Sequence, residues 1–80
     1  MDWVPLESSA FTAVAYVAER RILYLRFRSG ELYRYLDFPS ELYRDFLAAG
    51  SKGQYFAHNI RDRFRCEHLA RSRSASNPSS

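Results

Sequence analysis

An alternating stretch in the middle of the chain constrains the fold more than any other feature. Residues 22–28 alternate between apolar side chains and larger polar ones, which are Leu23, Leu25 and Phe27 against Tyr24, Arg26 and Arg28. A period of two is typical of a strand with one buried face. A Ser-Gly turn signal follows, and residues 32–36 continue as a second strand, so the pattern predicts an antiparallel hairpin.

The length of the connecting loop decides which residues share a face of this hairpin. With a two-residue loop, Tyr33 and Tyr35 would lie on the same face as Tyr24. With a three-residue loop at positions 28–30, its glycine in the left-handed bulge position, both tyrosines would instead face the leucines of the preceding strand. We favour the three-residue loop because it concentrates the large apolar side chains where helices can cover them.

The flanking segments complete the predicted domain. Residues 10–17 mix small, β-branched and aromatic side chains and predict a further strand. Pro39 and Gly50 bound a run with helical spacing, which predicts a first helix. Ser51, with a glutamine three residues later, matches a capping box and predicts the start of a second helix, which we extend towards Leu69. The prediction is an α+β fold: a three-stranded antiparallel sheet followed by two helices packed on one face, in the order β-β-β-α-α.

Composition sets the limits of this domain and of its surroundings. The chain has 80 residues, enough for one domain, which we place at residues 4–69. Residues 70–80 contain no apolar side chain larger than that of alanine, so we predict a disordered Ser/Arg-rich tail. The single cysteine excludes an internal disulfide, and no apolar run approaches the roughly 20 residues that span a bilayer. We therefore expect a cytoplasmic protein without a membrane segment.

Candidate catalytic and metal-binding residues are few. The soft metal ligands His58, Cys66 and His68 lack the paired spacing of a zinc site. The serines of the domain have no strained elbow and no glycine run that would form an oxyanion hole. We predict no metal, no cofactor and no enzymatic activity.

The basic residues indicate a partner that carries phosphate groups. The chain has 12 lysine and arginine residues, of which only one is a lysine, and its net charge is +3. Arginine suits phosphate groups because its guanidinium binds them bidentately. The start of the second helix adds a phosphate site through its backbone amides and Lys52, with Gly53 leaving room, unless Ser51 satisfies those amides itself. Solvated arginines that only confer solubility are the competing interpretation. The candidate nucleic-acid-binding residues are Tyr24, Arg26, Arg28, Arg34, Lys52, Gly53, Arg61, Arg63 and Arg65.

Several short motifs together resemble one known family. They are Phe11, Leu23-x-Leu25-x-Phe27, Gly30, Tyr33-x-Tyr35, Phe38-Pro39, Ser51-x-Gly53-x-Tyr55-Phe56 and Ile60-Arg61. In this order and spacing they look like the KTSC domain, which occurs at the C-terminus of some lysyl-tRNA synthetases and as small free-standing proteins. The family has no established activity to carry over, but its occurrence in the synthetases suggests RNA binding. The resemblance makes Tyr33, Tyr35, Ser51 and Gly53 family-motif residues of the core or its rim.

Two functions remain open from the sequence. The first is a small non-catalytic module that binds RNA of a tRNA-like kind, with arginines on phosphates and an aromatic side chain stacked on a base. The second is a protein-interaction or regulatory module without a nucleic-acid role, which could self-associate through Leu32 and Leu36 beside Tyr24 on the uncovered sheet face. The position of Tyr33 and Tyr35 separates the two, because only exposed tyrosines could form a stacking platform.

Overall fold

The computed structural model describes residues 1–71 and contains one antiparallel sheet and two helices. The strands are β1 (Val4–Pro5), β2 (Phe11–Val17), β3 (Ile22–Phe27), β4 (Glu31–Tyr35) and β5 (Cys66–Arg71). Helices α1 (Ser40–Ala48) and α2 (Lys52–Asn59) lie between β4 and β5 in the chain. The order of the strands in the sheet is β1-β2-β3-β4-β5. The predicted α+β class is thus confirmed.

The sequence pattern does not predict the two edge strands, so the expected three-stranded sheet is corrected to five strands. β1 is short and contains Pro5, which has no amide hydrogen and is tolerated at a sheet edge. β5 replaces the predicted extension of the second helix. That helix ends at Asn59, and Asp62 turns the chain with a left-handed φ of 63°.

β5 also contains Ala70 and Arg71, with which the predicted tail begins. The ladder between β4 and β5 pairs Leu32 with Ala70, so the sheet continues past the predicted domain boundary at residue 69. Residues 72–80 lie outside the described part of the chain, and the disorder expected there stays a prediction.

The register of the central hairpin is that of the three-residue loop. Leu25 pairs with Tyr33 and Leu23 pairs with Tyr35. The amide of Gly30 donates to the carbonyl oxygen of Phe27 over 2.9 Å, and Gly30 has a φ of 100°. A side chain is disfavoured at this φ, so the glycine fixes the bulge and with it the face on which both tyrosines lie.

Both helices cover the same face of the sheet, as predicted. The ring of Phe11 on β2 lies 5.7 Å from that of Phe46 on α1 and 5.4 Å from that of Phe56 on α2. The Ser51 hydroxyl accepts a hydrogen bond from the Gln54 amide over 3.2 Å, which confirms the predicted cap of α2. We call the covered side the inner face and the opposite side the outer face. Neither helix in residues 1–71 has the length and apolar character that a bilayer crossing requires.

Candidate functional site

The outer face carries a patch of aromatic and arginine side chains, which we call the outer-face patch: Trp3, Tyr24, Arg26 and Arg34. The alternation of β3 places Tyr24 and Arg26 opposite the buried leucines, and Arg34 is the partner of Tyr24 on β4. The Trp3 ring lies 6.4 Å from the Tyr24 ring in an edge-on arrangement. The Arg26 guanidinium carbon lies 5.2 Å from the centre of the Trp3 ring, within reach of a cation–π interaction.

Trp3 is the member of the patch that sequence reasoning missed. It precedes β1 and belongs to no periodic segment, so neither a helical nor a strand pattern drew attention to it. The available signal was compositional: the chain has a single tryptophan, and it stands outside every predicted element. Large aromatic side chains outside the core of a small domain are candidates for binding.

Arg34 is already engaged within the sheet. Its Nε donates to the Glu67 carboxylate with 2.6 Å between Nε and Oε1, and Glu67 is its partner across β4 and β5. The pKa of the Arg34 guanidinium is raised, first by a hydrogen bond with Tyr24 and then by that with Glu67. Arg26 is therefore the arginine of the outer-face patch with no carboxylate partner among residues 1–71.

Arg28 and the start of α2 have structural partners. The Arg28 Nε donates to the Ser8 carbonyl oxygen over 2.8 Å, which ties the central hairpin to the segment before β2. The Lys52 amine donates to the Ala49 carbonyl oxygen over 2.7 Å, at the C-cap of α1. A methyl group on Gly53 would lie 3.6 Å from the Cβ of Ala10, so this glycine faces the protein. The predicted phosphate site at α2 thus has its lysine held by the protein's own backbone.

Arg61, Arg63 and Arg65 lie in the segment that joins α2 to β5. All three are exposed, and none forms an ion pair with another residue of the described chain. The Arg61 guanidinium carbon lies 5.9 Å from the centre of the Phe56 ring. Apart from Arg28, which is tied to Ser8, the predicted arginines therefore divide between the outer face and this segment.

Tyr33 and Tyr35 lie on the inner face and line a cleft of about 380 Å³, which we call the tyrosine cleft. Tyr35 is only 4% exposed, whereas Tyr33 is half-buried and stacks on His68 with 4.7 Å between ring centres. His68 also pairs with the Glu31 carboxylate. These positions make both tyrosines core and rim residues, and they exclude them from an outer stacking platform. The cleft is lined by Phe27, Ser29, Glu31, Tyr33, Tyr35, Phe56, Arg61, Asp62 and Cys66.

The candidate metal ligands do not gather. Within residues 1–71, no three His, Cys, Asp or Glu side chains lie together in a way that could hold a metal ion. His68 is instead engaged with Tyr33 and Glu31, and Cys66 is an exposed free thiol on β5.

Fold and site together define a small α+β domain: a five-stranded antiparallel meander whose last two strands are separated by a pair of helices that cover the inner face. The model of the KTSC domain matches residues 7–64. The chain therefore belongs to the KTSC domain family. Trp3 precedes the matched residues and Glu67 follows them, so the outer-face patch and its counter-charge extend beyond the matched segment.

Similar proteins cover most of the chain. A protein of Tsukamurella paurometabola is 43% identical over 61 residues, which are 76% of this chain and 91% of that protein. An uncharacterized protein of Stutzerimonas stutzeri is 41% identical over 56 residues, 70% of this chain and 79% of that protein. The crystal structure of a KTSC domain protein from Yersinia pestis superposes with a TM-score of 0.84 at 30% identity, covering 86% of this chain and 97% of that one.

Proposed function

We propose that this protein is a non-catalytic module of the cytoplasm that binds single-stranded segments of RNA, such as those of a tRNA, on its outer-face patch. The observation that supports this most is the pairing of Trp3 and Tyr24 with Arg26 on an uncovered sheet face. Aromatic rings stack on unpaired bases whatever their sequence, and a neighbouring arginine binds the phosphate that connects them. No bond needs to be made or broken in this role.

The charge of the chain favours the same partner. The net charge is +3, and Arg26 has no carboxylate partner in residues 1–71. Arg34 can reach a phosphate only in competition with Glu67. We therefore expect few phosphate contacts, weak binding and a moderate dependence on salt, since each neutralised phosphate releases a counterion.

Fluorescence anisotropy with a labelled tRNA and a labelled short single-stranded RNA tests this function. Arg26→Ala should weaken binding and reduce the slope of log K against log salt by about one. Arg44→Ala on α1 is the matched control, because Arg44 is also exposed and removes the same charge from another surface. Trp3→Ala should cost about 1–3 kcal/mol of binding through lost stacking. The function is refuted if neither RNA binds at low salt, or if both arginine variants weaken binding equally.

The second candidate is self-association or protein binding through the same face. Leu32 and Leu36 are half-buried, so the apolar patch expected there is smaller than their sequence positions indicate. The observation that favours an interface is Leu69 at the sheet edge, which is 41% exposed on β5. Size-exclusion chromatography with light scattering separates the candidates, because a dimer that dissociates on Leu69→Asp substitution would favour this one.

A further inference from the structure

The tyrosine cleft opens on the inner side of the sheet, next to the turn that follows α2. Its volume of about 380 Å³ lies in the range of about 300–1,000 Å³ that small-molecule sites occupy. It is separate from the outer-face patch, because Tyr33 and Tyr35 project from the face of β4 opposite to Arg34. RNA bound on the outer face would leave this cleft unused.

Four aromatic rings form the apolar part of the cleft. The ring of Phe27 lies 5.5 Å from that of Tyr33 and 5.7 Å from that of Phe56. The Tyr35 ring contacts two of these rings, with 5.8 Å between its centre and that of Phe56 and 6.4 Å between its centre and that of Tyr33. Because every ring is held by two others, the surface is preformed, and it offers flat π-faces and edges to a planar ligand.

The hydroxyl of Tyr35 is the polar feature that points to a ligand. Tyr35 is only 4% exposed, and its hydroxyl has no hydrogen-bond partner among residues 1–71. Since no fully enclosed polar atom of the described chain lacks a partner, this hydroxyl meets solvent at the cleft. A ligand atom in the cleft would take the place of the solvent that this hydroxyl meets.

Three charged side chains line the cleft: the Glu31 carboxylate pairs with His68, and Arg61 and Asp62 define the rest of the ligand. Arg61 is exposed, has no ion pair within the described chain and provides a fork for an anionic oxygen. Asp62 follows it with a φ of 63°, a conformation that brings two consecutive charged residues to the same cleft. Its carboxylate is a hydrogen-bond acceptor for an amino group. The matching ligand has a planar ring with amino and carbonyl groups and also carries an anion.

The geometry points to a nucleotide site: the tyrosine cleft binds one nucleotide, with its base against the aromatic rings and its phosphate on Arg61. The Tyr35 hydroxyl donates to a base or sugar oxygen, and Asp62 accepts from an exocyclic amino group. The nucleotide is either a free monophosphate or one unit of an RNA chain, and the experiment distinguishes these sources. The inference does not depend on the outer-face patch.

The test uses the full chain labelled with ¹⁵N and titrated with each of the four nucleoside 5′-monophosphates. Amide shifts should concentrate on residues of the cleft, and Tyr35→Phe should weaken binding about five- to tenfold, because it removes one hydrogen bond while keeping the ring. Arg61→Ala should weaken the binding of the monophosphates more than the binding of the corresponding nucleosides, which lack the phosphate. Arg44→Ala is the matched control and should leave the affinity unchanged. A parallel titration with short single-stranded RNA shows whether the chain-borne nucleotide binds more tightly than the free one.

Several outcomes would overturn the assignment. One is the absence of shifts at the cleft with every monophosphate and with the RNA. Another is tighter binding of phenylalanine or benzoate than of any nucleotide, which would make the cleft a site for another aromatic anion. The outer-face function is judged separately: Trp3→Ala should abolish RNA stacking on the outer face but leave the monophosphate shifts intact, so either proposal can fail alone.

Discussion

Arg34 and Glu67 face each other across β4 and β5, with 2.6 Å between the guanidinium Nε and the carboxylate Oε1. Their side chains are 34% and 46% exposed, so solvent screens the pair and it contributes little to stability. Its larger effect is to occupy the guanidinium that would otherwise be available to a phosphate. The pair therefore limits the affinity of the outer-face patch for an anionic partner.

Glu67→Gln should accordingly tighten RNA binding while changing the free energy of unfolding by less than about 1 kcal/mol. The control is Glu19→Gln, which removes the same charge from an exposed turn away from the patch. Anisotropy titrations and urea melts of both variants give the two readouts. Equal tightening by both variants would mean that only the net charge matters and that Arg34 is not released.

Two substitutions at Tyr35 separate the contribution of its ring to stability from that of its hydroxyl. Tyr35→Ala removes a ring that is 4% exposed and packed on Phe56, and should destabilise the fold by about 3–5 kcal/mol, by analogy with other aromatic truncations. Tyr35→Phe should be nearly neutral, because the hydroxyl has no protein partner to lose in residues 1–71. Urea denaturation measures both values. A Tyr35→Ala protein within about 1 kcal/mol of the parent would contradict the packing described.

Gly30 and Gly50 form a second matched pair. Gly30→Ala should cost about 1–2 kcal/mol, because Gly30 has a φ of 100° at the bulge of the central hairpin. Gly50→Ala meets no atom within 4 Å and has no left-handed φ, so the added methyl should be tolerated. Thermal or urea melts compare them. Similar losses at both positions would show that the glycine of the loop is not what fixes the register.

The tyrosines make the stability depend on pH in the alkaline range. Burial raises the pKa of Tyr35 above its ordinary 10.0, with further increases from Cys66 and Tyr33, and burial also raises the pKa of Tyr43 and Tyr55. The folded state therefore holds these protons more tightly than the unfolded state. Stability is fully present below about pH 10 and falls as the pH rises beyond it.

Unfolding by urea at a series of alkaline pH values measures this decline, and Tyr35→Phe supplies the control. The variant should lose stability less steeply above about pH 10, because it has one fewer group that must stay protonated in the folded state. Its stability at neutral pH serves as the common reference. Parallel profiles for the two proteins would assign the decline to other groups.

The central part of the fold is predictable because its signals are local. The alternation of residues 22–28 and the glycine at position 30 define the hairpin and its register, and Ser51 marks the start of α2. These features act within a few residues of the chain. The buried tyrosines and the apolar part of the tyrosine cleft follow from them.

The edge strands are not predictable in the same way, because their conformation depends on partners far along the chain. β5 contains Glu67, Leu69 and Ala70, which favour a helix, and it becomes a strand through pairing with β4. The same pairing brings Glu67 to Arg34 and His68 to Tyr33. For this reason the pairing of Arg34 with Glu67 in the outer-face patch could not be predicted from the sequence, and neither could the position of Trp3.

The order of the strands in the sheet has a consequence for how the chain folds. Each strand pairs with the strand next to it in the sequence, and only the junction of β4 and β5 spans a long segment, the one that contains both helices. Short loops close at a smaller entropic cost than long ones, so β2, β3 and β4 can assemble first and provide a template. β5 should therefore dock after these central strands and open more readily than they do. Its amides should therefore exchange with solvent deuterium sooner than those of β3, and transient release of this edge would expose both Arg34 and the tyrosine cleft at once.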